Sequence, residues 1–276
     1  MSLLSPDQLG IALFPQRLVL VRSSGGLRRR LVHKESLAFA PAETGIPAWQ
    51  AATDALAEKV SPAALPRAHV KLILSNHFVH YLVIPWRDGL SNQEEHWAYA
   101  RHCFERVHGG GAAQWKLRLC SDTPGEPRLA CAVEPALIEA LRTHLGPLGR
   151  RYRSLQPHLM ASFNSCRAHI GKGPTWLVVA EPGLLCLALL QDGCWHSVNR
   201  VKVGADWINE LPRLLEREAC LLDCATPCLD VVLIAPDATR PLVLPAGKWR
   251  FTTPSPALLP GMNSGVDAPF SIALAA

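Results

Sequence analysis

The sequence predicts an α/β protein of two related lobes, and three observations carry that reading. A short apolar hairpin, "IALFPQRLVLV" at residues 11 to 21, returns as "LVVAEPGLLCLAL" at 177 to 189. With a shift of 167 positions, Pro15 falls on Pro182, Leu18 on Leu185, Leu20 on Leu187 and Gly26 on Gly193. Between and after the two copies, strand-like runs alternate with runs of helical period, and "GKGP" at 171 to 174 marks the boundary. Mixed sheets with helices packed on them, built twice, give two lobes of one kind.

The elements follow in order. The first hairpin ends near Gly25-Gly26, and a third strand is expected within "LRRRLVHKESLAFA". "IPAWQAATDALAEKV" sets Ile46, Trp49, Leu56 and Val60 on one helical face. "VKLILSN" and "FVHYLVIPW" are rich in β-branched and aromatic residues and read as strands on either side of a Ser75-Asn76-His77 turn. In "SNQEEHWAYARHCFERV", Ser91 and Glu94 have capping-box spacing, with Trp97, Ala100, Phe104 and Val107 as the buried stripe. "WKLRLC" and "RLACAVE" then flank a turn as an antiparallel pair. Pro135 suits a first helical turn, and Leu137, Ile138, Leu141 and Leu145 carry that helix to Gly146-Pro147. "RYRSLQP" is a short strand-like link before a helix that buries Leu159, Phe163 and Ile170.

After the boundary, "TWLVVAEPGLLCLALLQDGCWHSVNRVKV" gives three strands. Asp206 can cap a helix towards Leu222, which Pro212 is expected to kink or divide. "DVVLIAP" is a buried strand, and the Pro-, Gly- and Ser-rich end closes on the apolar run "FSIALAA".

Composition narrows the function classes. With 49% hydrophobic and 18% charged residues the chain has ample core material, and its net charge of +5 is too small for a dedicated nucleic-acid binder. Residues 1 to 21 lack a basic start and a small-residue cleavage site, so no signal peptide is expected. The longest apolar stretch, 175 to 190, is broken by Glu181, Pro182 and Gly183 and is too short to span a bilayer. A cytoplasmic protein with nine reduced cysteines follows as the expectation. Cys220, Cys224 and Cys228 recur every fourth residue, yet no histidine nearer than His196 completes a zinc set, and they read as buried small hydrophobes. His77 with His80, and His96 with His102, lack a completing ligand; no Gly-x-Ser-x-Gly elbow occurs; the first hairpin lacks the converging carboxylates of a two-metal nuclease.

Two stretches carry a family resemblance. "LACAVEPALIEALRTHLGPLGRRYRSLQPHLMASFNS" at 129 to 165 has a strand, a helix, a link with Pro157, and a helix with Ala161 and Asn164. "KLILSNHFVHYLVIPW" at 71 to 86 is a strand pair ending in an apolar-Pro step. Together they resemble PilM-like proteins of type IV pilus systems and the cytoplasmic part of GspL-like secretion proteins, in element order over roughly residues 8 to 235. The resemblance implies the actin-like fold, two ribonuclease-H-like lobes facing each other across a cleft. The implied lobes are residues 1–170, with an inserted subdomain at about 71–128, and a shortened second lobe at 175–276.

In nucleotide-binding members of that fold, the two hairpin turns cradle phosphates, and an Asp in each serves the metal. Here Gly10 and Ile11 are followed by Ala12, Leu13 and Phe14 where Gly-Ile-Asp-Ile-Gly is the binding form. Pro15 has no N–H to offer, and the second turn reads Ala180, Glu181, Pro182, Gly183. The turns are therefore expected to be degenerate, with no cofactor, no metal and no catalytic residue. The alternative is an active ATPase or kinase-like phosphotransferase using ATP and magnesium. The implied role is a cytosolic scaffold, a pseudo-ATPase, that binds the cytoplasmic tail of a single-pass inner-membrane pilus or secretion protein. Trp86 and Arg87, and the basic run Arg28, Arg29 and Arg30, are the candidate contacts for a partner or for anionic headgroups; a second basic run is "RRYR" at 150 to 153.

Overall fold

Strand and helix order in the computed structural model follows the doubled pattern. It describes residues 6–26, 28–60, 68–90, 92–120, 124–222, 228–238 and 242–275. The first half runs β1 (Gln8–Phe14), β2 (Arg17–Ser23), β3 (Leu31–Ala38), α1 (Ala48–Lys59), β4 (His69–Leu74), β5 (His80–Ile84), α2 (Gln93–His108), β6 (Lys116–Leu119), β7 (Arg128–Val133), α3 (Pro135–Leu145), β8 (Tyr152–Pro157) and α4 (His158–Cys166). The second half runs β9 (Thr175–Glu181), β10 (Leu184–Gln191), β11 (Cys194–Lys202), α5 (Trp207–Leu221), β12 (Asp230–Ile234), β13 (Arg250–Thr252), α6 (Ser264–Asp267) and α7 (Ser271–Leu274).

These strands make two five-stranded sheets of the same plan. The first is ordered β3-β2-β1-β4-β8 and the second β11-β10-β9-β12-β13. In each, an antiparallel three-stranded meander meets parallel strands: β1 pairs parallel with β4, and β9 with β12. A third sheet, β5-β7-β6, sits within the first half. The strands on either side of the Ser75-Asn76-His77 turn therefore belong to different sheets, and residues 71–74 lie in the first sheet rather than in the inserted one.

The inner strands of the main sheets, such as β1, β2, β9 and β10, are covered on both faces, which is why they read as continuous apolar runs. All seven residues of β9 are buried. Leu177 and Val179 join the cluster that also contains Leu9, Ile11 and Leu159, while Trp176 and Val178 pack with Leu211 and Leu215 of α5. Opposite Ile11, the alternate residues Ala12 and Phe14 pack with Ile272 and Ala273 of α7. The chain thus leaves the second sheet after β13 and returns to the first. That return needs Gly10, because a Cβ there would lie 1.7 Å from the Ala273 carbonyl oxygen.

Several local expectations shift. Ile46 precedes α1 and is exposed, while Leu56 and Val60 are buried. Helix α2 is capped by Asn92, whose side chain accepts from the Glu95 N–H; Ser91 lies outside the described residues. Within its stripe Ala100 and Phe104 are buried, but Val107 is exposed on the last turn. Pro212 neither divides α5 nor ends it, since in the second turn it removes only the bond to the Ile208 carbonyl. Cys220 is exposed near the end of α5, Cys228 is buried, and Cys224 lies outside the described residues.

Candidate functional site

Side chains beside both repeated turns make contacts that join the two halves of the chain. Phe14 closes β1 with only 4% of its surface exposed and meets the His158 ring edge-on, centroids 5.9 Å apart. Pro15 and Gln16 form the turn, and Arg17 begins β2 with its guanidinium 4.7 Å from the Phe14 ring centroid. The same guanidinium crosses to the second half, 2.6 and 2.7 Å from the two carboxylate oxygens of Asp237. Ala12 shares this face of β1 with Phe14, and both pack in the α7 cluster.

Opposite, Glu181 ends β9 and Pro182 and Gly183 make the turn, Gly183 with φ +78°, a value that glycine adopts without strain. The Pro182 carbonyl accepts from His77 Nε2 at 3.0 Å, which fixes the proton on that nitrogen. Glu181 itself is fully withdrawn from solvent. Its carboxylate accepts from the Ser75 hydroxyl, from the Asn76 N–H at 2.8 Å and from His158 Nδ1 at 2.6 Å. Burial pushes its pKa up, but the hydrogen bonds and charge of His158, with the Ser75 and Asn76 donors, outweigh burial, and the net direction is down.

A second layer holds those donors. Asn76 Oδ1 accepts from Tyr81 Oη at 2.7 Å and from the Leu159 N–H at 3.0 Å, and its main-chain carbonyl accepts from Arg200 at 3.0 Å. Arg200 also donates to His80 Nδ1 at 2.8 Å, so that nitrogen is bare. Burial, then Arg200, then His108 pull the His80 pKa down to about 4, and its ring stacks on Trp115 at 4.1 Å. The chain β9–Glu181–Ser75/Asn76–Tyr81 therefore ties all three sheets together.

A cavity of about 610 Å³ adjoins this cluster, lined among others by Pro182, Trp207, Asn209, Asp237 and Leu242. The residues of the two turns beside it do not fit a magnesium-bound polyphosphate. A phosphate cradle needs bare N–H groups on a glycine-rich turn, and a metal needs accessible carboxylates. Pro15 and Pro182 have no N–H, Phe14 is buried against His158 and Arg17 beside the first turn, the Glu181 carboxylate is held by three donors, and Arg17 covers Asp237. Among the described residues no group of three or more His, Cys, Asp or Glu could hold a metal ion.

A separate groove of about 560 Å³ lies between the inserted sheet and the first one. Strands β6 and β8 are both sheet edges there, with α3 between them. Leu117, Ile138, Leu141 and Leu155 give it an apolar floor, and Lys116, Arg118, Arg142 and Arg153 rim it with exposed cations. Among the described residues the buried Ser154 Oγ in its wall has no hydrogen-bond partner.

The candidate contacts lie elsewhere. Trp86 and Arg87 line a hollow of about 10 Å³ at the outer end of β5, where Arg128 lies 5.2 Å from the Trp86 ring centroid and Arg87 equally far from that of Tyr99. Arg28, Arg29 and Arg30 are exposed on the connection from β2 to β3, with Arg29 beside Gln8 and Gly10. The structure does not bring these two sets into one hollow. Ser75, Asn76 and His158 escaped sequence reasoning because their pairing with Glu181 spans up to 106 residues, and Arg200 because its bond to Asn76 spans 124; only the Ser75-Asn76-His77 turn carried a local signal.

Two main sheets of identical strand order, with a third sheet inserted in the first half, define the class: the chain has the actin-like fold. Among solved structures it is similar to the PilM–PilN type IV pilus biogenesis complex, with a TM-score of 0.57 and 14% identity over 82% of this chain and 80% of that one. It is equally similar to the cytoplasmic domain of EpsL, an inner-membrane component of the type II secretion system of Vibrio cholerae, with a TM-score of 0.57 and 11% identity over 98% and 94%. A Bacteroides thetaiotaomicron protein with an actin-like ATPase fold and unknown function follows at a TM-score of 0.54 and 8% identity, over 82% and 81%. No protein-family model matches the sequence, and no curated protein matches it. Among the described residues no helix is long and apolar enough to cross a membrane.

Proposed function

We propose that this protein is a cytoplasmic scaffold of a type IV pilus or type II secretion assembly, with a cleft that takes no nucleotide. It holds the cytoplasmic segment of an inner-membrane partner and reaches the membrane through that partner. The observation that carries the reading is the engagement of both turns by the chain's own side chains, Phe14 in one and the triply held Glu181 in the other. Similarity over most of both chains to PilM–PilN and to the EpsL cytoplasmic domain supports the choice of assembly.

The groove between β6 and β8 supports the binding role. An extended segment adds to a sheet edge through main-chain hydrogen bonds, while alternate side chains enter apolar pockets. Here two edges, an apolar floor and a cationic rim converge. The test is a fluorescence-anisotropy titration with labelled cytoplasmic segments of single-pass inner-membrane proteins encoded beside its gene. One segment binds saturably at micromolar concentration, and Ile138→Ser or Arg118→Glu weakens it on the order of tenfold. Equal affinity in wild type and both variants, or no saturable binding by any segment, contradicts this reading.

A further inference from the structure

In two-lobed folds that close around a ligand, the ligand supplies the bridging contacts, and without it the lobes separate about a hinge. The bridging contacts here are internal. Glu181, from the second sheet, presents its carboxylate to Ser75 Oγ, the Asn76 N–H and His158 Nδ1, all from the first half. That set, a hydroxyl, a main-chain N–H and an imidazole converging on one anion, is what a cleft uses to seat an anionic ligand. We propose that Glu181 is a built-in anion that takes the place of a ligand, so that the two lobes are clasped in the free protein and nucleotide does not move them.

Four further links act in the same sense. Arg17 of β2 holds Asp237, which follows β12. His77 donates to the Pro182 carbonyl, and Arg200 of β11 donates to the Asn76 carbonyl. The chain itself returns from β13 to set α7 against Gly10 and Phe14 of β1. Each link joins the first half of the chain to the second. The clasp also sits directly behind the groove: Ser75 follows Leu74, His158 follows Pro157, and both Leu74 and Pro157 line it. The inference rests on the free protein and is independent of which partner the groove takes.

Hydrogen exchange read by mass spectrometry on the intact chain tests it, because two reporting amides belong to the clasp. The Asn76 N–H is bonded to Glu181 and the Leu159 N–H to Asn76 Oδ1. In the free wild type both are protected, and millimolar magnesium–ATP leaves their exchange unchanged. In Glu181→Ala they exchange faster on the order of tenfold or more, while central amides of β1 and β10 stay protected and report the intact fold. If that variant does not fold, Ser75→Ala, which removes one donor, gives a smaller acceleration at the same two amides. Fast exchange there in the free wild type, a gain in protection on adding magnesium–ATP, or unchanged exchange in the variants overturns the inference. Nucleotide binding detected as heat without that gain contradicts the proposed function and leaves the clasp standing.

Discussion

The Glu181 carboxylate and His158 Nδ1 meet at 2.6 Å, one from the last residue of β9 and the other from the first residue of α4, both withdrawn from solvent. A buried carboxylate costs several kcal/mol in lost hydration, and only good geometry with its remaining lone pairs occupied offsets that loss. Ser75 and the Asn76 N–H complete the set. The Glu181 carboxylate is thus fully engaged, while Asn76 Nδ2 in the next layer is buried without a hydrogen-bond partner among the described residues.

Removing the carboxylate strands three donors in a dry interior. Glu181→Ala is expected to destabilise the protein by about 3–5 kcal/mol, the usual cost of breaking a buried pair from one side. Glu181→Gln, which keeps an acceptor for the Asn76 N–H, loses less. Urea unfolding of the two variants checks both the size and the order, and equal stability of all three proteins contradicts the assignment.

The packing of α7 on β1 turns on one missing methyl. Replacing glycine by alanine in an unobstructed strand stabilises a protein by about 0.4–1 kcal/mol through the unfolded chain. Gly10→Ala instead drives a Cβ to 1.7 Å from the Ala273 carbonyl oxygen, so a loss of about 1–3 kcal/mol is expected. The readout is a lower Tm together with new protease cleavage within residues 253–275. An unchanged or raised Tm contradicts the docking of α7.

Acid weakens the clasp from two directions. The folded pKa of His80 is depressed from its ordinary 6.5 to about 4 by burial, Arg200 and His108, so between those values the unfolded chain binds a proton that the native state refuses. Stability therefore rises with pH from about 4 to 6.5 and levels off above. Glu181, with a folded pKa below its ordinary 4.5, contributes stability that is complete above that value and is lost as pH falls through the folded value. The urea midpoint measured from pH 4 to 7.5 is expected to climb and then flatten, with a shallower climb in His80→Gln. A flat profile, or the same slope in the variant, contradicts the environment assigned to His80.

Sequence periodicity was enough for the doubled plan, because strands buried on both faces must be continuous apolar runs and the hairpin appears twice. It failed where a neighbour decides the outcome. Ile46 matches the α1 stripe but lies before Pro47, outside the helix, and Val107 matches the α2 stripe but is exposed on its last turn. Cys220 keeps the four-residue spacing yet is exposed on the last full turn of α5. The two proline-containing turns were legible as the ends of the repeated hairpin. What closes them was not, because the partners of Glu181 lie up to 106 residues away and nothing in a local window links Ser75 or His158 to it.

The most direct measurement is calorimetric titration of the purified protein with ATP and magnesium, with a thermal-shift assay alongside. The account predicts no saturable heat and no change in Tm at millimolar nucleotide. Saturable binding at micromolar concentration, with Tm rising as ligand exceeds its Kd, would contradict it and make the cleft a working nucleotide site.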